Sequence, residues 1–328
     1  MTKSVFLSAG GDPFIASLVL KLWKERWYDE VDTMWICYNN HASVPYEVSG
    51  EFLQRASQDP KVRIIYSPRG LGNGVPITLM TKCSTDDLVM LLEDDGFIFE
   101  PGHVSRCFQQ IESDLTDALG SPRGSCGVEV TEAAAKKYNI DLSAYGDSGV
   151  NFWPNTFFCK RADLLKTDMD FGSHTWKPGE YSRELDHTFK EINHGDTFAW
   201  ACVQLRAMGL RFQNIPQFHA DPYEIESKQK GEMNWWKGQR PYWWHAGSLS
   251  AGWNGYLSDR TPDVSNDSAM REMETRCAFW FLATEQVEGF DSFKVLYKDG
   301  IKNLIQRAGL DTDRIMAKHD LYKLLMRL

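Results

Sequence analysis

The chain has 328 residues, 42% apolar and 25% charged, enough to bury a full core in one large domain with an extension and too apolar for a largely disordered chain. Its net charge of −9 provides no general attraction to phosphate polymers, although a local basic groove stays compatible with it. No run approaches the roughly 18 apolar residues of a membrane span, and the opening Met1-Thr2-Lys3-Ser4-Val5-Phe6-Leu7 lacks a signal-peptide core, so a soluble, cytoplasmic protein is expected.

Val5-Phe6-Leu7 reads as a strand closed by the turn Ser8-Ala9-Gly10-Gly11-Asp12-Pro13. Apolar residues then recur at helical spacing over 14–27, as Phe14, Leu18, Leu22 and Ile15, Val19, Trp23. Met34-Trp35-Ile36-Cys37-Tyr38 is a second strand ending at Asn39-Asn40, a helix is expected around 52–58, and Val62-Arg63-Ile64-Ile65-Tyr66 is a third strand ending at Ser67-Pro68-Arg69-Gly70. Strands alternating with helices predict βαβ units and a mostly parallel, Rossmann-like sheet with helices on both faces.

Five apolar residues, Leu88-Val89-Met90-Leu91-Leu92, suit a strand buried on both faces. The run stops at Glu93-Asp94-Asp95-Gly96, where ligands collect in open α/β sheets, outside the carboxyl ends of strands. Further on, a helix is expected over 103–119, a strand at Asn155-Thr156-Phe157-Phe158-Cys159, a short helix over 162–166, loop over 171–187 and a helix over 198–208 closed by Gly209. The segment 121–147 carries no clear signal. Past Tyr223 the composition turns polar, then Trp-rich, which sets a boundary between 1–224 and 225–328; the tail predicts helices over 268–285, 292–307 and 312–326.

Seven cysteines without any C-x-x-C spacing argue against a zinc ribbon and against a secreted disulfide framework. They read as small core residues.

Three adjacent carboxylates at the end of a buried strand repel one another and call for a compensating cation. A divalent metal bridging to a diphosphate does this, since hard cations prefer oxygen ligands and Mg²⁺ commonly uses one or two carboxylates plus substrate phosphates. The competing reading is a solvated acidic turn.

From Leu91 through Glu93-Asp94-Asp95-Gly96 to Pro101-Gly102, the sequence resembles the strand, D-x-D loop and "pro-gly" helix start of family-two glycosyltransferases of the GT-A type. Arg69-Gly70-Leu71-Gly72-Asn73-Gly74-Val75-Pro76 resembles the glycine-containing loop that precedes the D-x-D strand there. Gly195-Asp196-Thr197-Phe198-Ala199-Trp200, Met208-Gly209-Leu210-Arg211 and Pro216-Gln217-Phe218-His219 resemble its "E-D" helix, "G-Y-R" turn and closing histidine. The likeness lies in order and spacing over roughly residues 3–222.

The resemblance implies a GT-A catalytic domain over 1–224 and a metal-dependent, inverting hexosyl- or pentosyltransferase. The donor would be a nucleotide-diphosphate sugar, a UDP-sugar first, with Mn²⁺ or Mg²⁺. Asp95, Glu93 and His219 would form the metal site, and Asp196 would be the base that deprotonates the acceptor hydroxyl. Ser8, Gly10, Asn40, Arg69, Gly72, Asn73, Glu93 and Asp94 would line the donor. Two departures stand out: Gly195 replaces the usual acid before Asp196, and Asn39-Asn40 occupies the place of a base-reading aspartate. Asp196 also reads as a helix N-cap, His219 as a structural histidine, and the glycines of 70–74 as a tight turn.

Trp235, Trp236, Trp243 and Trp244 stand in a Gly- and Pro-rich loop interleaved with Lys228, Lys230, Lys237 and Arg240. With Trp153 they form an expected acceptor platform or lid; equally, the loop tryptophans suit packing of the C-terminal helices. The acceptor class is a glycan, protein or lipid hydroxyl, with hydroxymethylated DNA as the alternative because bases stack on such rings. An inactive carbohydrate-binding module is a further alternative, and a homo-oligomer is left open. A nucleotidyltransferase is disfavoured because the first turn has the glycines of that class without its Arg and Lys.

Overall fold

The computed structural model describes residues 1–40, 44–72, 74–121, 125–142, 150–215, 232–235, 241–245, 267–287 and 289–326. In chain order the elements are β1 (Lys3–Gly10), α1 (Pro13–Leu22), β2 (Thr33–Asn39), α2 (Tyr46–Ala56), β3 (Val62–Ser67), α3 (Val75–Cys83), β4 (Leu88–Glu93), β5 (Gly96–Ile98), α4 (His103–Glu112), β6 (Ala118–Gly120), α5 (Val128–Tyr138), β7 (Phe157–Lys160) and α6 (Arg161–Leu164). They continue with β8 (His174–Trp176), β9 (Tyr181–Ser182), β10 (His187–Thr188), β11 (Asn193–Gly195), α7 (Ala199–Ala207), β12 (Phe212–Asn214), β13 (Glu232–Trp235), β14 (Pro241–His245), α8 (Asp267–Gln286), α9 (Asp291–Ala308) and α10 (Thr312–Met326).

Seven strands form the central sheet in the order β12-β6-β7-β4-β1-β2-β3. All run parallel except β7, which is antiparallel to both β4 and β6. From β1 the chain steps outward through β2 and β3, whereas β4 lies on the other side of β1. The order therefore reverses between β1 and β4, the place where a crevice opens outside the strand ends.

Alternate residues of the central strands feed two cores on opposite faces. Val5 and Leu7 of β1 pack with α1, α2, α4 and the C-terminal helices, while Phe6 of β1 and Leu91 of β4 pack with Ile77 and Met80 of α3 and Leu205 of α7. A smaller cluster joins Val130 and Ala134 of α5 to Trp176 and Phe189. The expected α/β architecture with a helical C-terminal extension is thus present, and α8–α10 fall within 1–2 residues of their expected limits. These helices share one core with β1 and α1. The boundary expected at 224–225 lies outside the described residues.

Several local expectations are corrected. The helix expected over 103–119 stops at Glu112, where Asp114 turns left-handed at φ 57°, and the following residues enter the sheet as β6. Pro76 within the first turn starts α3, a helix the apolar pattern did not single out. The segment 171–187 holds the short pieces β8 and β9 and the start of β10 rather than loop alone. The Trp-rich segment expected to be irregular contains a hairpin, with β14 pairing antiparallel with both β13 and β5. Its backbone register sets Trp243, Trp244 and His245 opposite Ile98, Phe97 and Gly96.

Candidate functional site

The site is built where β1, β2 and β4 end. In register, Ser8 lies beside Glu93 and Gly10 beside Asn39. The buried β4 interior, Leu88 through Leu92, gives way to the half-buried Glu93 and then to Asp94 and Asp95, each only 4% exposed. The acidic tip is therefore folded into the molecule and is not a solvated turn.

Asp94 fastens the turn after β4 to the end of β1. The Gly10 N–H donates to its Oδ2 at 2.7 Å, and its own N–H donates to the Ser8 carbonyl at 3.2 Å. Burial, then the neighbouring charges of Asp95, Glu93 and Asp12, hold its carboxyl well above the ordinary range. Both contacts are to the backbone at the carboxyl end of β1, which Asp94 thereby positions against β4.

Asp12 is a fourth carboxylate that the motif reading did not assign to the site. It caps α1 by accepting the N–H groups of Phe14 (3.0 Å) and Ile15 (3.4 Å), with Pro13 at the first helical position. It is wholly buried, and burial pushes its pKa up to about 7. The Asp-Pro pair at a helix start was the available signal.

At the end of β2 the Asn40 N–H donates to the Ser67 carbonyl at 2.9 Å, and its Oδ1 accepts from Ser49 of α2. That side chain ties β2 to α2. Asn39 is half-buried one residue earlier, and its Oδ1 has no partner among the described residues. Arg69 and Gly72 are exposed in the loop after β3, and Asn73 lies outside the described residues. Gly74 has a packing reason: a Cβ there would come within 2.1 Å of the Gly172 backbone nitrogen. Gly70 and Gly72 have open space around them.

Asp196 follows β11 and is half-buried. It does not cap α7, whose N-cap is Phe198 at φ 73°; its carboxylate accepts the Thr197 N–H at 2.7 Å, and its N–H donates to the Ser125 carbonyl at 3.0 Å. Asn151 Nδ2 donates to the same carbonyl at 3.1 Å. Four residues on, Asn155 flanks the end of β4, so the segment 151–155 connects the surroundings of Asp196 to the acidic tip across at most about 14 Å. Trp153 stands half-buried within that segment, its N–H on the Ser121 carbonyl at 3.0 Å.

Gly195 has a steric cause. A Cβ there would sit 2.7 Å from the Ala199 Cβ and 3.0 Å from the Trp176 ring, so this fold has no room for the acid the family pattern carries. Opposite Gly195, His174 stacks on Trp200 with ring centroids 5.0 Å apart, and the Trp200 indole donates to Asp168 at 2.7 Å. This aromatic pair beside Asp196 was not anticipated, because residues 26 apart in sequence meet only through the β8–β11 pairing.

Among the described residues, no group of three or more His, Cys, Asp or Glu side chains is arranged to hold a metal ion. His219 and Trp236 lie outside those residues, and for Trp235, Trp243 and Trp244 only the backbone position is described. Glu93 and Asp95 supply hard oxygen donors in a locality with four carboxylates, Asp12 and Asp94 included. That donor set fits a divalent cation and no soft metal.

No family model matches the chain, and no curated protein does. Among solved structures it is similar to a mannosyltransferase from Pyrobaculum calidifontis in complex with GDP-Man and Mn²⁺, at 9% identity, covering 98% of this chain and 80% of that one with a TM-score of 0.44. It is also similar to S. aureus TarS 1–349, at 10% identity with coverages of 100% and 90% and a TM-score of 0.41. A shorter likeness, to HddC from Yersinia pseudotuberculosis, covers 51% of this chain and 80% of that one at 16% identity and a TM-score of 0.31.

Proposed function

We propose that the chain is a GT-A glycosyltransferase that transfers a sugar from a nucleotide-diphosphate donor, a UDP-sugar first, to an acceptor hydroxyl with inversion. The observation that carries this reading is the acidic tip of β4, buried and set at the reversal of strand order beside the end of β1. Glu93 and Asp95 would hold Mn²⁺ or Mg²⁺, with His219 as the further ligand. A bound cation supplies Lewis-acid stabilisation of the departing diphosphate.

The chain's own groups have separable tasks. Asp94 holds the end of β1 against β4, which fixes the floor on which the diphosphate would lie. Asp196 takes the proton from the acceptor hydroxyl, and the bond its carboxylate accepts from the Thr197 N–H orients it. Trp153, and the His174–Trp200 stack, offer flat faces for an acceptor ring.

The first test is a thermal-shift panel of nucleotide sugars with and without Mn²⁺ or Mg²⁺. A donor at about 100 times its dissociation constant adds about 2.7 kcal/mol of stability. Asp95→Asn should abolish the metal-dependent shift, whereas Asp196→Asn should keep it and stop transfer. Equal loss of binding in both variants overturns the division of roles, and a wild-type protein that no donor stabilises overturns the function. Donor hydrolysis without acceptor separates an active enzyme from an inactive module. Salt-sensitive retention on hydroxymethylated DNA would identify that acceptor.

A further inference from the structure

The side chain of Asn155 is wholly buried, and among the described residues neither its Oδ1 nor its Nδ2 has a hydrogen-bond partner. Leaving a buried polar group unmet costs about 1–3 kcal/mol, and native proteins seldom leave both ends of one amide unmet. Its neighbour Asn151 has one end met, its Nδ2 donating to the Ser125 carbonyl, and only its Oδ1 unmet among the described residues.

Its location is defined by pairing and packing. Leu91 of β4 lies opposite Phe157 of β7, where the pairing ends two residues short of Asn155. Asn155 Oδ1 rests against Gly96, the residue after Asp95, so closely that a Cβ on Gly96 would stand 2.2 Å from it. The next residue, Thr156, is β-branched yet has φ 57°, a conformation costing roughly 1–3 kcal/mol. The amide therefore lies beside the acidic tip with its hydrogen-bonding capacity unspent among the described residues.

We infer that Asn155 is a specificity-determining contact to the sugar of the donor, accepting from one ring hydroxyl and donating to its neighbour. This rests on the proposed donor site. An amide offers an acceptor and two donors side by side. A diphosphate only accepts and a metal-bound water donates, so either would leave one end of the amide unmet; two adjacent hydroxyls of a pyranose satisfy both. A donor seated over Glu93 comes within reach after a change of side-chain rotamer, a scale of adjustment common on binding.

The test compares binding of a nucleotide sugar with that of its nucleoside diphosphate by titration calorimetry in Mn²⁺. UDP-glucose, UDP-N-acetylglucosamine or GDP-mannose is used, whichever the panel selects. Asn155→Leu, which removes both unmet groups and keeps the branched shape, should lose tenfold or more in nucleotide-sugar affinity while nucleoside-diphosphate affinity stays within twofold. Unchanged sugar affinity, or equal losses for both ligands, overturns the inference. Wild-type protein and deoxyfluoro donor analogues give a second measurement that needs no variant. Two adjacent ring positions should each cost tenfold or more and the others little; a uniform response across the ring overturns it. If wild type binds the diphosphate and the sugar donor, and only the Asn155 results fail, the donor site stands without this contact; if it binds neither, both fall.

Discussion

Asp12 joins local structure to pH. Burial raises its carboxyl to about 7 from an ordinary 3.8 even though two backbone N–H groups stabilise the ionised form. Below the unfolded pKa both states hold the proton and its contribution to stability is fully present. As pH rises from about 4 to about 7 the unfolded chain releases a proton that the folded chain keeps, so stability falls by roughly 1.4 kcal/mol per pH unit from this group. Asn caps a helix as well as Asp does. Metal-free Asp12→Asn should therefore be more stable than wild type at pH 8, by on the order of 2–4 kcal/mol, with the difference vanishing near pH 4. Urea melts at both pH values check this, and an equal difference at both would show that Asp12 enters the folded protein already ionised.

At the scale of elements, much was legible and the omissions have physical reasons. The central strands β1–β4 and the tail helices α8–α10 are long or strongly patterned, so local periodicity sufficed. β5, β6 and β8–β12 are three residues or fewer, below the length at which alternation can be read, and exist because a partner strand is already in place. The acidic tip was visible because an apolar run ended in three acids. Asn155 was not, because its meaning depends on the contact it makes with Gly96, a residue far from it in sequence. Gly195 belongs here too. In sequence it looks like a lost acid; in the fold it is the only residue that fits between Ala199 and Trp176. Gly195→Glu should thus destabilise by about 1–3 kcal/mol through overpacking, read as a lower thermal midpoint, and should give no gain in transfer. A variant with wild-type stability and faster transfer would mean the position is an unfilled catalytic one.

At the scale of the molecule, the C-terminal helices and the acidic tip are parts of one packed body. Phe97 of β5, two residues beyond Asp95, stacks on Phe279 of α8 with centroids 5.1 Å apart and planes 10° apart, and Phe279 in turn stacks on Tyr322 of α10 at 4.5 Å. Phe14 of α1 meets Tyr297 of α9 at 4.0 Å, and Trp280 of α8 lies against Asp12. The helices therefore back the loops on which the donor would lie, from the side opposite α3 and α7. Truncating one ring of this stack removes contacts on both partners at once. Phe279→Ala should cost about 3–5 kcal/mol, and the loss should be felt at the acidic tip because Phe97 loses its backing. We expect one cooperative unfolding transition in wild type and variant alike, with helix content and tryptophan fluorescence changing together, and a smaller metal-dependent donor shift in the variant at a temperature where it is still folded. Two separate transitions, with the donor response unaltered, would mean that the helices are an appended domain and that the core they share with β1 and α1 does not couple them to the site.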